Sequence, residues 1–293
     1  MNAFSKFLIP ALLLTLAAQS AFAFPMPKKG QRPAEFAANR HNFLAGAVDF
    51  TAIVALSDCS GSVVRFTTSL GSDQAMVLTN GHCLDAGMPG PGKVITNSPV
   101  SRRFKLLTSD GQGSLGTLNA DQVIFSSMTK TDITLYRLKE TYDQIEKNFK
   151  VTALTLSPQH PQAGAPIAIP SGYWRRMYNC SIDKFIYQLK EDKWTMVDSI
   201  RYQQPGCATI GGTSGSPIVN ANTHEVIGIN NTGNEDGAQC TMNNPCEVDE
   251  QGKITVVKKA SYGQQTFWLY GCLTSKNTLD LNKAGCLLPK PQN

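Results

Sequence analysis

The strongest constraint on the fold is a series of short β-rich segments that begins at Ala52. About fourteen or fifteen runs, among them TAIVAL, AMVLTN and DITLYRL, follow one another at a spacing of roughly ten residues. Clusters of Gly, Ser, Asn, Asp and Pro separate these runs. The spacing is typical of β-barrels or sandwiches and does not favour βαβ units. One helix is predicted near Thr141 to Phe149, and a short one near the C-terminus.

The N-terminus has the pattern of an export signal. Lys6 precedes an apolar stretch over residues 7–18, and residues 21–23, Ala-Phe-Ala, have the small-x-small form that signal peptidases cleave. An apolar stretch of about a dozen residues is too short to span a bilayer as a helix. We therefore predict a signal peptide over residues 1–23 and a secreted product, extracellular or periplasmic, that has no contact with the membrane after signal removal.

The next segment, residues 24–45, combines prolines and basic residues without a clear hydrophobic period. It is predicted to be a propeptide or a flexible N-terminal arm. Residues 46–293 then form the predicted folded domain.

Composition narrows the classes of function. Eight cysteines behind an export signal are expected to form disulfides, although about 105 pairings are possible. The four histidines show no metal-binding spacing, so no metal is expected. The net charge of +5 is mild, and the basic clusters are not interleaved with aromatic residues as in nucleic-acid-binding proteins. No nucleic-acid partner is expected.

Three separated motifs carry candidate catalytic groups. LTNGHCLD places His82 at the end of an apolar strand, KTDITLYRL places Asp132 at the start of another, and GGTSGSP places Ser214 in a glycine turn. Each residue alone also fits an ordinary polar turn. Their chain order, His then Asp then Ser, is the order of the chymotrypsin triad.

The chemistry explains why these residue types are needed. A serine hydroxyl is a weak nucleophile near neutral pH, and histidine is the side chain that titrates in that range and can take its proton. A carboxylate that accepts the other imidazole N–H holds the tautomer and stabilises the imidazolium. His82, Asp132 and Ser214 supply these groups, so no cofactor is expected.

Four motifs extend the match beyond the triad. CSGSVV, TNGHC, TDITLYRL and GGTSGSPI together resemble the chymotrypsin-like serine peptidase superfamily, nearest its bacterial V8-like (glutamyl endopeptidase) branch, over roughly residues 52–233. The resemblance implies an all-β fold of two six-stranded antiparallel β-barrels with the active site in the cleft between them. The first barrel is expected at about 50–140 and the second at about 150–270, with a C-terminal extension after them.

The resemblance also implies roles for further residues. The nucleophile is Ser214 rather than Ser216, and the oxyanion hole is formed by the N–H groups of Gly212 and Ser214. A disulfide between Cys59 and Cys83 clamps the histidine loop. The remaining pairs are expected to be Cys180–Cys207, Cys240–Cys246 and Cys272–Cys286.

The substrate-binding positions depart from well-known members. Thr213 stands where trypsin-like zymogens have an aspartate that pairs with a new N-terminus, so activation by that ion pair is not expected. Ala208 stands where trypsin-like enzymes have the aspartate that selects Lys and Arg, so cleavage after basic residues is disfavoured. Asn230 replaces the histidine of glutamyl endopeptidases, and Thr209 keeps the pocket polar and neutral. The expected backbone partner of the substrate is the strand of Asn231, Thr232 and Gly233.

The sequence therefore predicts a secreted, monomeric serine endopeptidase that hydrolyses proteins or peptides through an acyl-enzyme and is not trypsin-like in P1 preference. Two alternatives stay open. One is a binding or adhesion module on a peptidase fold without turnover, and the other is a broad esterase that uses the same triad.

Overall fold

The computed structural model describes residues 48–291, and within this range the chain forms fifteen strands and two α-helices. The number of strands agrees with the number of β-rich runs in the sequence. The predicted signal peptide, residues 1–23, and the predicted arm, residues 24–45, lie outside the described residues.

The first barrel is formed by six strands: β1 (Ile53–Ala55), β2 (Ser60–Arg65), β3 (Gln74–Thr79), β4 (Val94–Leu107), β5 (Ser114–Ser127) and β6 (Ile133–Thr141). They form a closed antiparallel ring in the order β1-β4-β5-β6-β3-β2, in which β1 also pairs with β2. The short strand β7 (Leu154–Thr155) adds to β2 in parallel.

The second barrel is formed by β8 (Pro166–Ser171), β9 (Arg176–Glu191), β10 (Trp194–Tyr202), β11 (Pro217–Asn220), β12 (Val226–Gly233) and β15 (Ser261–Gln265). They form a closed antiparallel ring in the order β10-β15-β12-β11-β8-β9, with β9 paired to β10. Two short strands, β13 (Cys246–Val248) and β14 (Ile254–Thr255), extend the sheet beyond β9. The predicted fold of two six-stranded barrels is therefore confirmed.

Alternation of side chains along the strands fills each barrel. In the second half of β4, Phe104 and Leu106 are fully buried while their neighbours Arg103 and Lys105 are exposed, as expected for residues on opposite faces of a strand. The first barrel encloses a cluster that includes these two residues, and the second encloses one around Tyr202.

A shared apolar layer joins the two barrels. It combines Leu78 and Leu135 of the first barrel with Val219 and Ile229 of the second. Trp268 of the short helix α2 (Trp268–Gly271) packs into the same cluster, so the segment after the second barrel helps to hold the barrels together. Burial of apolar surface is the main stabilising contribution at such a contact.

The predicted central helix is confirmed as α1 (Tyr142–Phe149). Its start is fixed by a capping box, in which Thr141 Oγ1 accepts from the Gln144 N–H and Gln144 Oε1 accepts from the Thr141 N–H. Lys150 ends the helix in the left-handed conformation, with a φ of 57°.

Disulfides join all eight cysteines of the chain. The pairs are those expected from the sequence: Cys59–Cys83, Cys180–Cys207, Cys240–Cys246 and Cys272–Cys286. In residues 48–291, the helices are too short to cross a bilayer.

Candidate active site

The histidine loop is fixed at the end of β3. His82 lies in a 3₁₀ turn over Gly81–Cys83, and the Cys59–Cys83 disulfide ties this turn to the start of β2. The buried guanidinium of Arg102 donates a hydrogen bond of 2.6 Å to the carbonyl of Cys83. A side chain at Gly81 would overlap the Ser127 carbonyl, so a glycine is needed for this close approach.

Asp132 lies between β5 and β6 and is 1% exposed. Its Oδ2 is 2.6 Å from His82 Nδ1, and its Oδ1 accepts the backbone N–H of His82 at 3.0 Å. Asn80 Nδ2 donates to the Asp132 carbonyl at 2.8 Å, which holds the aspartate backbone as well. The carboxylate therefore fixes both the position and the orientation of the imidazole.

The charges around His82 change its pKa. Burial by itself lowers the pKa of the imidazole, but the charge of Asp132 and the hydrogen bond to it, helped by Glu191 and Asp58, raise the pKa above its ordinary value of 6.5. The protonated imidazole is thus stabilised, which is the form that a base adopts after it accepts a proton.

Ser214 lies in the loop between β10 and β11, and its Oγ donates to the Asn231 carbonyl at 3.2 Å. Ser60 of β2 holds this loop from the first barrel. Its N–H donates to the Ser214 carbonyl at 2.7 Å, and its Oγ donates to the Gly212 carbonyl at 3.1 Å. His82, Asp132 and Ser214, predicted from three separate motifs, line one cleft.

The backbone before Ser214 has a defined orientation. Gly212 has a φ of 88°, and a side chain there would contact Tyr173 and Trp174. The indole N–H of Trp174 donates to the Gly211 carbonyl at 2.7 Å. Because the C=O and N–H of a trans peptide point in opposite directions, this bond directs the Gly212 N–H away from Trp174. In residues 48–291, neither the Gly212 N–H nor the Ser214 N–H donates to a protein acceptor.

The strand β12 borders the cleft. Asn230 Oδ1 accepts from the Tyr202 hydroxyl at 3.0 Å, and Asn231 occupies an irregularity in the pairing with β15. The neighbouring strand β11 pairs only with residues 226–229 of β12, so residues 231–233 face the cleft along an edge that no described strand covers. Asn230, Asn231, Thr232 and Gly233 all line the cleft.

Of the two residues expected at the base of the pocket, one lies elsewhere. Thr209 lines the cleft, whereas Ala208 is exposed and is not part of the lining. A tight turn, in which the Ala208 N–H donates to the Gly206 carbonyl at 2.9 Å, directs this residue to the surface. The expectation that Ala208 forms an apolar pocket floor is not met by this geometry.

Several cleft residues were not predicted from the sequence. Glu191 and Trp194 come from the β9–β10 hairpin, Met128 precedes Asp132, and Asn243 comes from the loop before β13. Glu191 is 7% exposed, and burial raises the pKa of its carboxyl to about 7. No local motif marks these residues, because only the course of the hairpin and loop brings them beside His82, Asp132 and Ser214.

One group of metal-ligating side chains was found among residues 48–291, namely Cys59, His82 and Cys83. Both sulfurs belong to the Cys59–Cys83 disulfide, and the His82 ring forms a hydrogen bond with Asp132. This group therefore offers no thiolate to a metal.

Comparison with known proteins identifies the family. The model of the trypsin-like peptidase domain matches residues 59–229, and the chain therefore belongs to this family. The match includes His82, Asp132 and Ser214. It confirms the resemblance to the chymotrypsin-like superfamily. No curated protein sequence matches the chain significantly.

Solved structures with a similar chain path are distant in sequence. The MamO protease domain of Magnetospirillum magneticum is 15% identical, with 76% of this chain and 95% of that chain covered and a TM-score of 0.45. A Glu endopeptidase is 15% identical, with 76% of this chain and 88% of that chain covered and a TM-score of 0.44. The protease Anisep of Arthrobacter nicotinovorans is 15% identical, with coverages of 75% and 92% and a TM-score of 0.42.

Proposed function

We propose that this protein is an exported serine endopeptidase that cleaves peptide bonds through an acyl-enzyme. The observation that carries the proposal is the 2.6 Å contact of His82 Nδ1 with the buried Asp132 carboxylate in a cleft that Ser214 also lines. A carboxylate, an imidazole and a serine hydroxyl in one cleft are the groups that acyl transfer needs.

In the proposed reaction, Ser214 Oγ attacks the scissile carbonyl while His82 removes its proton. Asp132 stabilises the resulting imidazolium, which then donates the proton to the leaving amine. The acyl group stays on Ser214 as an ester. Water, deprotonated by His82, releases the new carboxyl terminus and restores the serine hydroxyl.

Two N–H groups are proposed to stabilise the oxyanion of the tetrahedral intermediate, those of Gly212 and Ser214. Their support is the absence of any acceptor for them among the described residues and the Trp174 bond that orients the peptide before Gly212. Donors fixed in advance need no reorganisation when the charge develops.

The uncovered edge of residues 231–233 is proposed to pair with the substrate backbone as an added strand. This role requires proteins or peptides as substrates and favours an extended segment. The residues expected beside the P1 side chain that do line the cleft, Thr209 and Asn230, are neutral, so a trypsin-like preference at P1 is not part of the proposal.

Export is proposed from the signal-like N-terminus together with the four disulfides, which form and persist in oxidising compartments. The secreted form is proposed to be a monomer that works in the periplasm or outside the cell. Residues 24–45 are proposed to be a propeptide or an N-terminal arm.

A fluorophosphonate probe tests the proposal directly. The wild-type protein is expected to be labelled, and the Ser214→Ala variant is expected to stay unlabelled, because the probe forms a covalent bond with an activated serine oxygen. Ser216→Ala is the matched control, since Ser216 Oγ is buried and donates to the Thr213 carbonyl. It is expected to keep the label. Intact-mass spectrometry measures both results.

A folded, processed wild-type protein that takes no label contradicts the proposal. If such a protein binds a partner equally well with Ser214→Ala, a binding module is the better description. Cleavage of ester but not peptide libraries indicates an esterase instead.

Trp174 provides a second test, because its indole N–H orients the Gly211–Gly212 peptide. Trp174→Phe keeps an aromatic ring beside Tyr173 but removes the donor. We expect kcat and kcat/KM to fall together by about 10- to 100-fold with KM unchanged, since an oxyanion-hole contact is made in the transition state. Steady-state kinetics with a peptide substrate measures the effect.

The control for this substitution is Tyr187→Phe, a conservative change of an exposed aromatic residue on β9. It is expected to leave kcat as in the wild type. An unchanged kcat in Trp174→Phe, or an increase in KM alone, would mean that Trp174 does not orient the oxyanion hole.

A further inference from the structure

The cleft contains a second buried carboxyl group that the triad does not use. Glu191 is the last residue of β9, at the end of the β9–β10 hairpin, and it is 7% exposed. It lines the same cleft as His82, Asp132 and Ser214. The charge of His82 acts on its ionisation, so the two side chains are close enough to interact electrostatically.

The hydrogen bonds of Glu191 involve only one of its two carboxylate oxygens. Oε1 accepts from Thr232 Oγ1 at 3.0 Å and from the Asn243 N–H at 2.8 Å. These bonds fix the side chain, while Oε2 has no hydrogen bond to any residue in the described range 48–291. An ionised carboxylate has acceptor capacity on both oxygens.

No fixed cation compensates the charge of Glu191. Among the described residues, no lysine or arginine forms an ion pair with it, and none lines the cleft. The negative charge of Asp132, in the same cleft, opposes a second negative charge on Glu191. Burying an ionised carboxylate without a partner is costly, and this cost is why the pKa of Glu191 is raised to about 7.

The position of Glu191 relative to β12 assigns it to one substrate residue. Ser214 Oγ contacts the Asn231 carbonyl, so the residue that is acylated (P1) lies beside Asn231. Side chains alternate along an added strand, and the residue before it (P2) directs its side chain to the opposite side from that of P1. Thr232, the next residue of β12, stands opposite P2 in this pairing and directs its hydroxyl to Glu191. Glu191 is therefore on the side of the added strand to which the P2 side chain points.

The walls beside Glu191 suit a long side chain with a charged end. Met128, Trp194 and Met196 line the cleft and belong to one apolar cluster. The methylene stem of a lysine or arginine packs on such a surface while its charged group reaches a carboxylate. We propose that Glu191 binds the cationic side chain of a Lys or Arg at P2 of the substrate.

This inference rests on the proposed peptidase function, and its test uses peptides that share one P1 residue. Peptides with Lys or Arg at P2 are compared with the near-isosteric norleucine and with Glu. The wild-type protein is expected to show a kcat/KM about 10- to 100-fold higher for the cationic P2 residues than for norleucine, as for a charge-assisted hydrogen bond. Glutamate at P2 is expected to be the poorest of the four.

Glu191→Gln is the decisive variant, because glutamine keeps an oxygen for the Thr232 and Asn243 donors but has no charge. The advantage of Lys and Arg over norleucine is expected to disappear, while labelling by a fluorophosphonate continues. Glu250→Gln, a change at an exposed turn, is the control for net charge and is expected to keep the wild-type ratio. Glu191→Lys provides a second variant, for which glutamate at P2 becomes the best residue.

The outcomes separate this inference from the proposed function. Cleavage with no preference for a cation at P2, or with a preference that Glu191→Gln retains, overturns the role of Glu191 alone. Loss of the preference in Glu235→Gln rather than in Glu191→Gln overturns it as well. A wild-type protein that neither cleaves peptides nor takes the label overturns the peptidase function, and the P2 site with it.

Discussion

Replacement of Asp132 by asparagine is expected to lower kcat by about 10⁴-fold while the protein stays folded. Asparagine is isosteric with aspartate, but its amide cannot act as the charged acceptor for His82 Nδ1, which lies 2.6 Å from the carboxylate. The imidazole then favours the wrong tautomer, and its protonated form loses its main electrostatic partner. The Asp132 charge raises the pKa of His82, so the acid limb of the remaining activity is also expected to move to lower pH.

Stopped assays of peptide hydrolysis between pH 5 and pH 9 measure both effects. The matched control is Asp110→Asn, at an exposed turn between β4 and β5, which is expected to leave the rate and the pH profile unchanged. If Asp132→Asn retains more than about a tenth of the wild-type kcat, the carboxylate does not have the role of orienting the base.

Replacement of Gly215 by alanine is expected to destabilise the protein by about 3 kcal/mol or more, or to prevent folding. Gly215 has a φ of 82°, where a side chain is strained, and a Cβ there would overlap the Ser60 carbonyl and Thr79 Oγ1. Both neighbours belong to strands of the first barrel that are fully buried at these positions, so they cannot move aside easily. Urea unfolding followed by circular dichroism measures the free energy of unfolding.

Gly211→Ala is the matched control within the same loop. Gly211 does not have a positive φ, and no atom lies within 4 Å of a Cβ built there. Its free energy of unfolding is expected to stay within about 0.5 kcal/mol of the wild-type value. Equal stability of the two variants would mean that the nucleophile loop does not pack tightly on the first barrel.

The features predicted best from the sequence have a local physical signal. Strands alternate apolar and polar residues and end at turn residues, and helix α1 begins with a capping box that can be read from Thr141 and Gln144. The triad residues also stand in recognisable motifs at strand ends. Their order along the chain, together with the family resemblance of the four motifs, was therefore sufficient to predict that His82, Asp132 and Ser214 lie in one cleft.

The proposed substrate-binding region was harder to predict, because contacts between residues far apart in sequence determine it. Glu191 precedes the polar residues Asp192 and Lys193 in a hairpin turn, a position at which an acidic residue is ordinarily exposed. It is buried because β13 pairs with the end of β9 and brings Asn243 over the carboxyl group. The opposite happens at Ala208. Its position in the sequence, six residues before Ser214, predicts a pocket residue, but a short turn exposes it.

Strand β2 links the two halves of the proposed triad. Cys59, next to its start, is bonded to the residue after His82, and Ser60, its first residue, holds the carbonyls of Gly212 and Ser214. The proposed proton acceptor, His82, and the proposed nucleophile, Ser214, are thus held by the same short stretch of backbone, although they come from different barrels. Sliding or rotation of one barrel relative to the other would break the Ser60 bonds, so the proposed catalytic alignment depends on the contact between the barrels as well as on the interior of each one.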